Sequence, residues 1–246
     1  MDGDHTPPKR FLTTRWTIVL QAGSAADEKA KQAALTELCR DYWYPVYAFV
    51  RRSVRKREDA EDITQGVFGD ILRRDNLGSV DKMKGRFRSY LLGAVKNFIA
   101  NQHRRSVTQK RGGGAAAISF DAEEVEQRYK LEPVDHETPE LLYHRSWAET
   151  LIERVAADLG EEYRKAGKGA LFDALRGRLA EPGDKESHDA VAEELGMSSG
   201  AVAAALYRMR KRYAELLRRA VSDTLPGGES DMDVDEEIQE LLRAVG

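Results

Sequence analysis

A chain of 246 residues with one cysteine has room for one or two domains and cannot close an internal disulfide. No apolar run approaches the roughly 18 residues needed to cross a bilayer and no signal peptide opens the chain, so a cytoplasmic protein in a reducing compartment, with no membrane partner, is expected. A formal net charge of −3 does not by itself suggest a nucleic-acid binder, and only the placement of the charges can.

Residues 1–10 are polar and carry the Pro7-Pro8 pair, and residues 16–20 spell a short apolar helix ending near Gly23. From 26 to about 56, Ala30, Ala34, Leu35, Leu38, Tyr42, Val46, Phe49 and Val50 recur at helical intervals, with Cys39 as a small core residue. Pro45 lacks an amide proton and is expected to kink or break that helix. A second helix over 59–73 places Ile63, Val67, Phe68, Ile71 and Leu72 on one face. A third, over 85–105, is carried by Phe87, Leu91, Leu92, Val95, Phe98 and Ile99. Gly112-Gly-Gly114 marks the clearest boundary, and the acidic stretch 115–139 reads as an extended linker. Helical patterning returns over 141–159 and 163–179, and breaks at Pro182-Gly183.

The segment from His188 to Tyr213 then gives a short helix, a Gly196 turn, a Ser198 cap and a second helix with a basic end. Val191, Leu195, Val202, Leu206 and Met209 face one another across that turn. This is the pattern of a helix-turn-helix, whose second helix lies in the DNA major groove; an ordinary helical hairpin is the competing reading. Residues 235–245 form a last amphipathic helix through Ile238, Leu241 and Leu242. No strand-like alternation of useful length occurs. The expected fold is all-α: two helical domains joined by a flexible acidic linker, the C-terminal one carrying the helix-turn-helix.

Charge is segregated along this plan. Residues 82–111 hold cations and no acid, and 208–219 hold one acid, Glu215. The balancing acids lie at 58–62, 121–126 and 229–240. Blocks of opposite sign imply separate partners. In the third helix, cations, amides and rings interleave, which are the residue types that follow phosphates and stack on the bases of melted DNA. Phe87 and Phe98 share the apolar spacing and belong to the core; Tyr90, Lys96, Asn97, Asn101 and Arg104 stand off it. In the second helix, acids in the first turn complement the helix dipole. Gly66 and Gly69 each cost roughly 1 kcal/mol relative to Ala, which implies close approach of another segment or a partner.

The run Glu58-Asp-Ala-Glu-Asp-Ile-Thr-Gln65 with Val67-Phe68, then Phe87-Arg-Ser-Tyr-Leu91 with Lys96-Asn97, and finally 192–202, resembles a bacterial RNA polymerase sigma factor of the extracytoplasmic-function (ECF) group. Thr13-Thr-Arg-Trp16 and Lys110-Arg-Gly-Gly-Gly114 resemble a subgroup abundant in planctomycetes. The resemblance covers about 30–106 and 141–220. It implies an N-terminal extension (1–28), sigma domain two (29–108), a linker (109–140), sigma domain four (141–222) and an acidic tail (223–246). In the family, the acidic helix docks on a coiled coil of the polymerase largest subunit, here through Asp59, Glu61, Asp62, Gln65 and Phe68. The next helix recognises and melts the promoter −10 element, through Lys84, Arg86, Arg88, Tyr90, Lys96, Asn97, Asn101, Arg104 and Arg105. The helix-turn-helix reads the −35 element, through Ser198, Ser199, Gly200, Ala203, Arg208, Arg210 and Lys211. Core RNA polymerase (coiled coil and flap region), double-stranded and melted promoter DNA, and an anti-sigma factor or other regulator are the implied partners.

Two positions depart from that pattern. Ala203 stands where similar sigma factors place a Lys, so −35 reading would rest on thymine-methyl contact, phosphate clamping and DNA shape. Gly66 stands where an acid usually follows the Thr-Gln pair. The rival classes are weaker. Gly167-Lys-Gly169 lacks both the earlier Gly and the following Ser or Thr of a phosphate loop, and the histidines show no metal-ligand spacing, so no enzyme, metal or cofactor is expected. A helix-turn-helix regulator that never joins polymerase is the alternative, and it has no need of the acidic helix.

Overall fold

The computed structural model describes residues 28–73, 86–106, 121–132, 138–179, 185–225 and 230–246. The expected helix at 16–20, the glycine boundary at 112–114, Lys84, and the subgroup residues at 13–16 and 110–114 lie outside the described residues. All regular structure among the described residues is helical.

Helix α1 (Glu28–Ser53) runs through Pro45 without breaking. Every residue from 41 to 50 is buried, so neighbouring helices enclose this stretch on all sides and hold the helix across the missing hydrogen bond. Asp41, whose backbone carbonyl loses its helical donor to Pro45, pairs through its carboxylate with Arg154 at 3.3 Å. Cys39 is fully buried, and burial pushes its thiol up to about 12, which leaves it unreactive.

Helix α2 (Arg57–Arg73) opens on Glu58 and Asp59, and α3 spans Phe87–Ser106. The stretch expected as an extended linker contains α4 (Ala122–Lys130), capped by the Asp121 carboxylate, which accepts from the amides of Glu123 and Glu124 at 2.9 and 3.2 Å. Helix α4 docks on α1. Tyr47 donates to Glu126, Arg51 pairs with Glu126 at 3.3 Å, and the Arg128 guanidinium sits 4.0 Å from the Tyr44 ring centroid. Burial pushes the Glu126 carboxyl up, but the hydrogen bonds from Tyr47 and Arg51 outweigh it and hold the group below its ordinary range.

Helix α5 (Pro139–Lys165) starts on a Thr138 cap with Pro139 in the first turn. It is continuous where the sequence suggested an interruption between 159 and 163, and it ends at Gly167, φ 70°. There follow α6 (Gly169–Leu175) with a short 3-10 turn, α7 (Lys185–Leu195), α8 (Ser199–Ser222) and α9 (Asp231–Val245). A reciprocal pair of bonds between Ser230 and Asp233 opens α9 four residues earlier than the apolar pattern suggested.

Among the described residues, two large apolar cores form beside a small cluster of Tyr44, Ala48 and Leu142, and the boundary between the two large ones does not coincide with the linker. The larger joins Tyr42 and Val46 of α1, Val67 and Phe68 of α2, Phe87 and Leu91 of α3, Trp147 and Leu151 of α5, Val221 of α8 and Leu241 of α9. The smaller joins Leu159 of α5, Phe172 and Leu175 of α6, Val191 of α7, and Val202, Leu206 and Met209 of α8. Helix α5 therefore spans both cores, with α3 and α9 near its start and the α7–α8 pair near its end.

Candidate docking and nucleic-acid interfaces

Helix α2 divides by face. Ala60, Ile63, Thr64, Val67, Phe68 and Ile71 are buried, while Glu58, Asp59, Asp62 and Gln65 are exposed. The exposed positions fall at helical spacing and form one anionic strip suited to a cationic protein surface. Glu61, expected on that strip, is drawn aside by Arg57 at 2.6 Å, and Arg57 also reaches Glu123 at 2.9 Å. Phe68, expected to meet a partner, is instead fully buried and stacked on Trp43 with centroids 5.3 Å apart. It braces the acidic strip from behind. Gly66 also has an internal reason. A Cβ built there would stand 2.5 Å from the tip of the Phe98 ring, so the missing side chain is the seat for α3.

Helix α3 presents Ser89, Lys96, Asn97, Ala100, Asn101 and Gln102 to solvent. Lys96, Asn97 and Asn101, expected to meet melted DNA, thus lie together on one polar face; Gln102 extends it and was not foreseen. Lys96 pairs with Glu140 of α5 at 2.8 Å, and that hydrogen bond holds the Glu140 carboxyl below its ordinary range. Tyr90 is half-buried with its ring 6.0 Å from Phe87, so it is less free than its offset spacing suggested. Arg104 and Arg105 belong to α3, but their side chains lie outside the described residues.

The two arginines at the start of α3 point elsewhere. Arg88, expected on DNA, is 6% exposed. Its guanidinium lies 4.7 Å from the Trp147 ring centroid and pairs with Glu237 at 2.7 Å and Glu240 at 3.0 Å, both on α9. Arg86 reaches the same carboxylates, with Glu237 at 2.8 Å. Burial pushes the Glu237 carboxyl up against the pull of both arginines, whereas the hydrogen bond from Arg86 draws Glu240 down. Tyr143 of α5 donates to the Arg88 carbonyl at 3.0 Å and fixes this corner from below.

Helices α7 and α8 meet at Gly196, φ 61°. The Met197 amide donates to Ala192 at 2.8 Å and the Gly196 amide to Glu193 at 3.3 Å, the pair of bonds that closes a helix on a left-handed glycine. The Ser198 hydroxyl accepts from the Ala201 amide at 3.2 Å as the cap of α8. Ser199 donates to Asp189 across the turn. Of the expected reading residues, Gly200, Arg208 and Lys211 are exposed, while Ala203 is half-buried. Arg210 donates to the Arg178 carbonyl at 2.7 Å and so ties α8 to the turn after α6. The outward strip of α8 is Gly200, Ala204, Tyr207, Arg208 and Lys211. Tyr207, 70% exposed, was missed, and its sequence signal was the spacing of seven from Gly200.

Among the described residues, no helix is long and apolar enough to cross a membrane, and no group of metal-binding side chains gathers. No family model matches the chain, and no solved structure matches it. The chain is similar to the ECF RNA polymerase sigma factor SigE of Mycolicibacterium smegmatis, 25% identical over 201 residues that cover 81% of this chain and 68% of the relative. That likeness supports the ECF sigma factor family.

Proposed function

We propose that this chain is a sigma factor that joins core RNA polymerase, carries it to promoters with −10 and −35 elements, and promotes DNA opening. One observation carries the reading: an exposed anionic strip on α2 and exposed polar and cationic strips on α3 and α8 lie on separate helices of a chain similar to an ECF sigma factor. A protein surface and a nucleic acid call for those opposite signs. Residues 29–108 would hold polymerase and the −10 element, and 141–222 the −35 element. Asp59, Asp62 and Gln65 would meet the polymerase, with Glu61 beside them. Lys96, Asn97 and Asn101 would meet unpaired bases and phosphates. Tyr207, Arg208 and Lys211 would lie against duplex DNA, where alanines at 203–205 leave thymine methyls and phosphates as the main contacts. The planctomycete-like subgroup rests on the residues at 13–16 and 110–114. No catalytic role is assigned.

Co-purification with bacterial core polymerase, followed by run-off transcription on a genomic promoter pool, tests this reading. Stable association with new start sites is expected, and duplex binding without association would instead favour a free-standing regulator. Asp62→Arg reverses an exposed charge and should reduce core association at least tenfold while leaving the circular dichroism melt unchanged. Normal assembly of that variant would remove the acidic strip from the reading.

A second outcome concerns α8. Replacing Arg208 and Lys211 by Ala should lower the slope of log affinity against log salt for duplex promoter DNA by about 1.8, or ~0.9 for each phosphate that is no longer neutralised. An unchanged slope would show that these cations do not face the backbone.

A further inference from the structure

We propose that the C-terminal helix α9 is a built-in competitor for DNA: it holds Arg86 and Arg88 on Glu237 and Glu240, and it must leave before those arginines can reach a nucleic acid. The proposal rests on the reading of α3 as the −10 helix.

The geometry is that of substitution. Glu237 has no exposed surface and contacts both guanidinium groups, at 2.8 Å from Arg86 and 2.7 Å from Arg88. Glu240 closes the other side of the same pair. Two carboxylates one helical turn apart thus present to two arginines the oxygens that two successive phosphates would present. Arg88 is further covered by Trp147 beneath it, so no DNA oxygen has access to it while α9 is seated.

The seat is a removable one. Among α9 residues only Val234, Glu237 and Leu241 are buried, and Met232, Leu242 and Val245 are exposed. Asp231 and Asp235 bind the exposed Arg218 of α8, again by charge. An open cleft of about 440 Å³ is lined by Arg86, Arg88, His144 and Trp147 on one side and by Glu240, Leu241 and Ala244 of α9 on the other, so ion pairs bridge this edge of a seat that only Val234 and Leu241 anchor by apolar burial. A helix of 15 residues is marginal on its own in water, so release of these bridges frees the tail instead of exchanging one rigid docking for another. Because the ion pairs are part of the hold and Glu240 is exposed at their edge, a polyanion at high local concentration competes for the two arginines directly.

The test uses the full chain and a fluorescein-labelled bubble duplex with an unpaired A+T-rich stretch, read by anisotropy over a salt series. Glu237→Gln/Glu240→Gln should bind at least tenfold tighter than the wild type at low salt. Its salt slope should be steeper by about 1.4, or ~0.7 for each cation released onto a single strand. Glu153→Gln/Glu161→Gln makes the same change in net charge on α5, at acids that pair with Arg128 and Arg164, and should not tighten binding. In the wild type, bubble DNA should speed amide hydrogen exchange across residues 231–245. Equal affinity and slope for the wild type and the α9 variant overturn the proposal and leave the sigma-factor reading standing. Equal tightening by the α5 variant, or unchanged protection of α9 with DNA bound, also overturns it. Failure of every variant to bind the bubble overturns both this proposal and the assignment of α3 to DNA.

Discussion

Trp147→Ala is expected to destabilise the protein by about 3–5 kcal/mol, the usual cost of emptying a buried aromatic site. The indole is 1% exposed and stands in the larger core, where residues of α1, α3, α5, α8 and α9 meet. Two losses combine. The cavity leaves apolar neighbours without packing partners, and the Arg88 guanidinium loses a ring face that is worth up to about 2 kcal/mol when desolvated. Because the site joins helices on either side of residues 107–120, a single cooperative transition should shift, not only the unfolding of one half. Urea titration followed by circular dichroism measures the effect. Trp147→Phe should recover most of it, since a smaller ring still fills part of the site and still offers a face to Arg88. A loss below about 1 kcal/mol for the alanine variant would mean that the core collapses around the site or that the two halves are not joined there.

Much of this architecture is legible in the sequence because it rests on local rules. The spacing of Ile63, Val67, Phe68 and Ile71 defines the buried face of α2, and Gly196 followed by Ser198 defines the turn between α7 and α8. What escapes is set by distant partners. Helix α4 has only Val125 and Tyr129 as an apolar pair, too few to reveal a helix by period, and its docking depends on Glu126 meeting Tyr47 and Arg51. Helix α5 runs past Gly160 because that glycine seats the Phe172 ring, which would stand 2.8 Å from a Cβ, so packing offsets its poor propensity. Pro45 is tolerated for the same reason. For the candidate faces, sequence gives the sign of a charge but not what stands opposite it. Arg86 and Arg88 read as free cations, and their partners lie about 150 residues further along the chain. Spacing puts Phe68 on the buried face of α2 and the family resemblance sets it against a partner; its stacking on Trp43 agrees with the spacing.

Glu126→Ala should undock α4 and cost about 2–3 kcal/mol, less than a fully enclosed pair because Arg51 keeps part of its surface in water. The buried Tyr47 hydroxyl and the Arg51 guanidinium would both lose their acceptor. The pH dependence follows from the sign of the shift. The carboxyl is held below its ordinary range in the folded protein, so the unfolded state binds a proton first as pH falls. Its stabilising contribution is therefore complete above the unfolded value near ~4.3 and is lost as pH drops through the lower folded value. Burial holds Glu149, which shares Arg128 and Arg145 with neighbouring acids, above its ordinary range, so its contribution runs in the opposite direction. The difference between wild type and Glu126→Gln isolates the one group. Hydrogen exchange over residues 122–130, corrected for intrinsic rates, should show the wild type losing protection on acidification below about pH 4. The Gln variant should start with weaker protection and change less. An identical acid profile for the two proteins would show that the Tyr47–Glu126–Arg51 contact does not hold α4 in place.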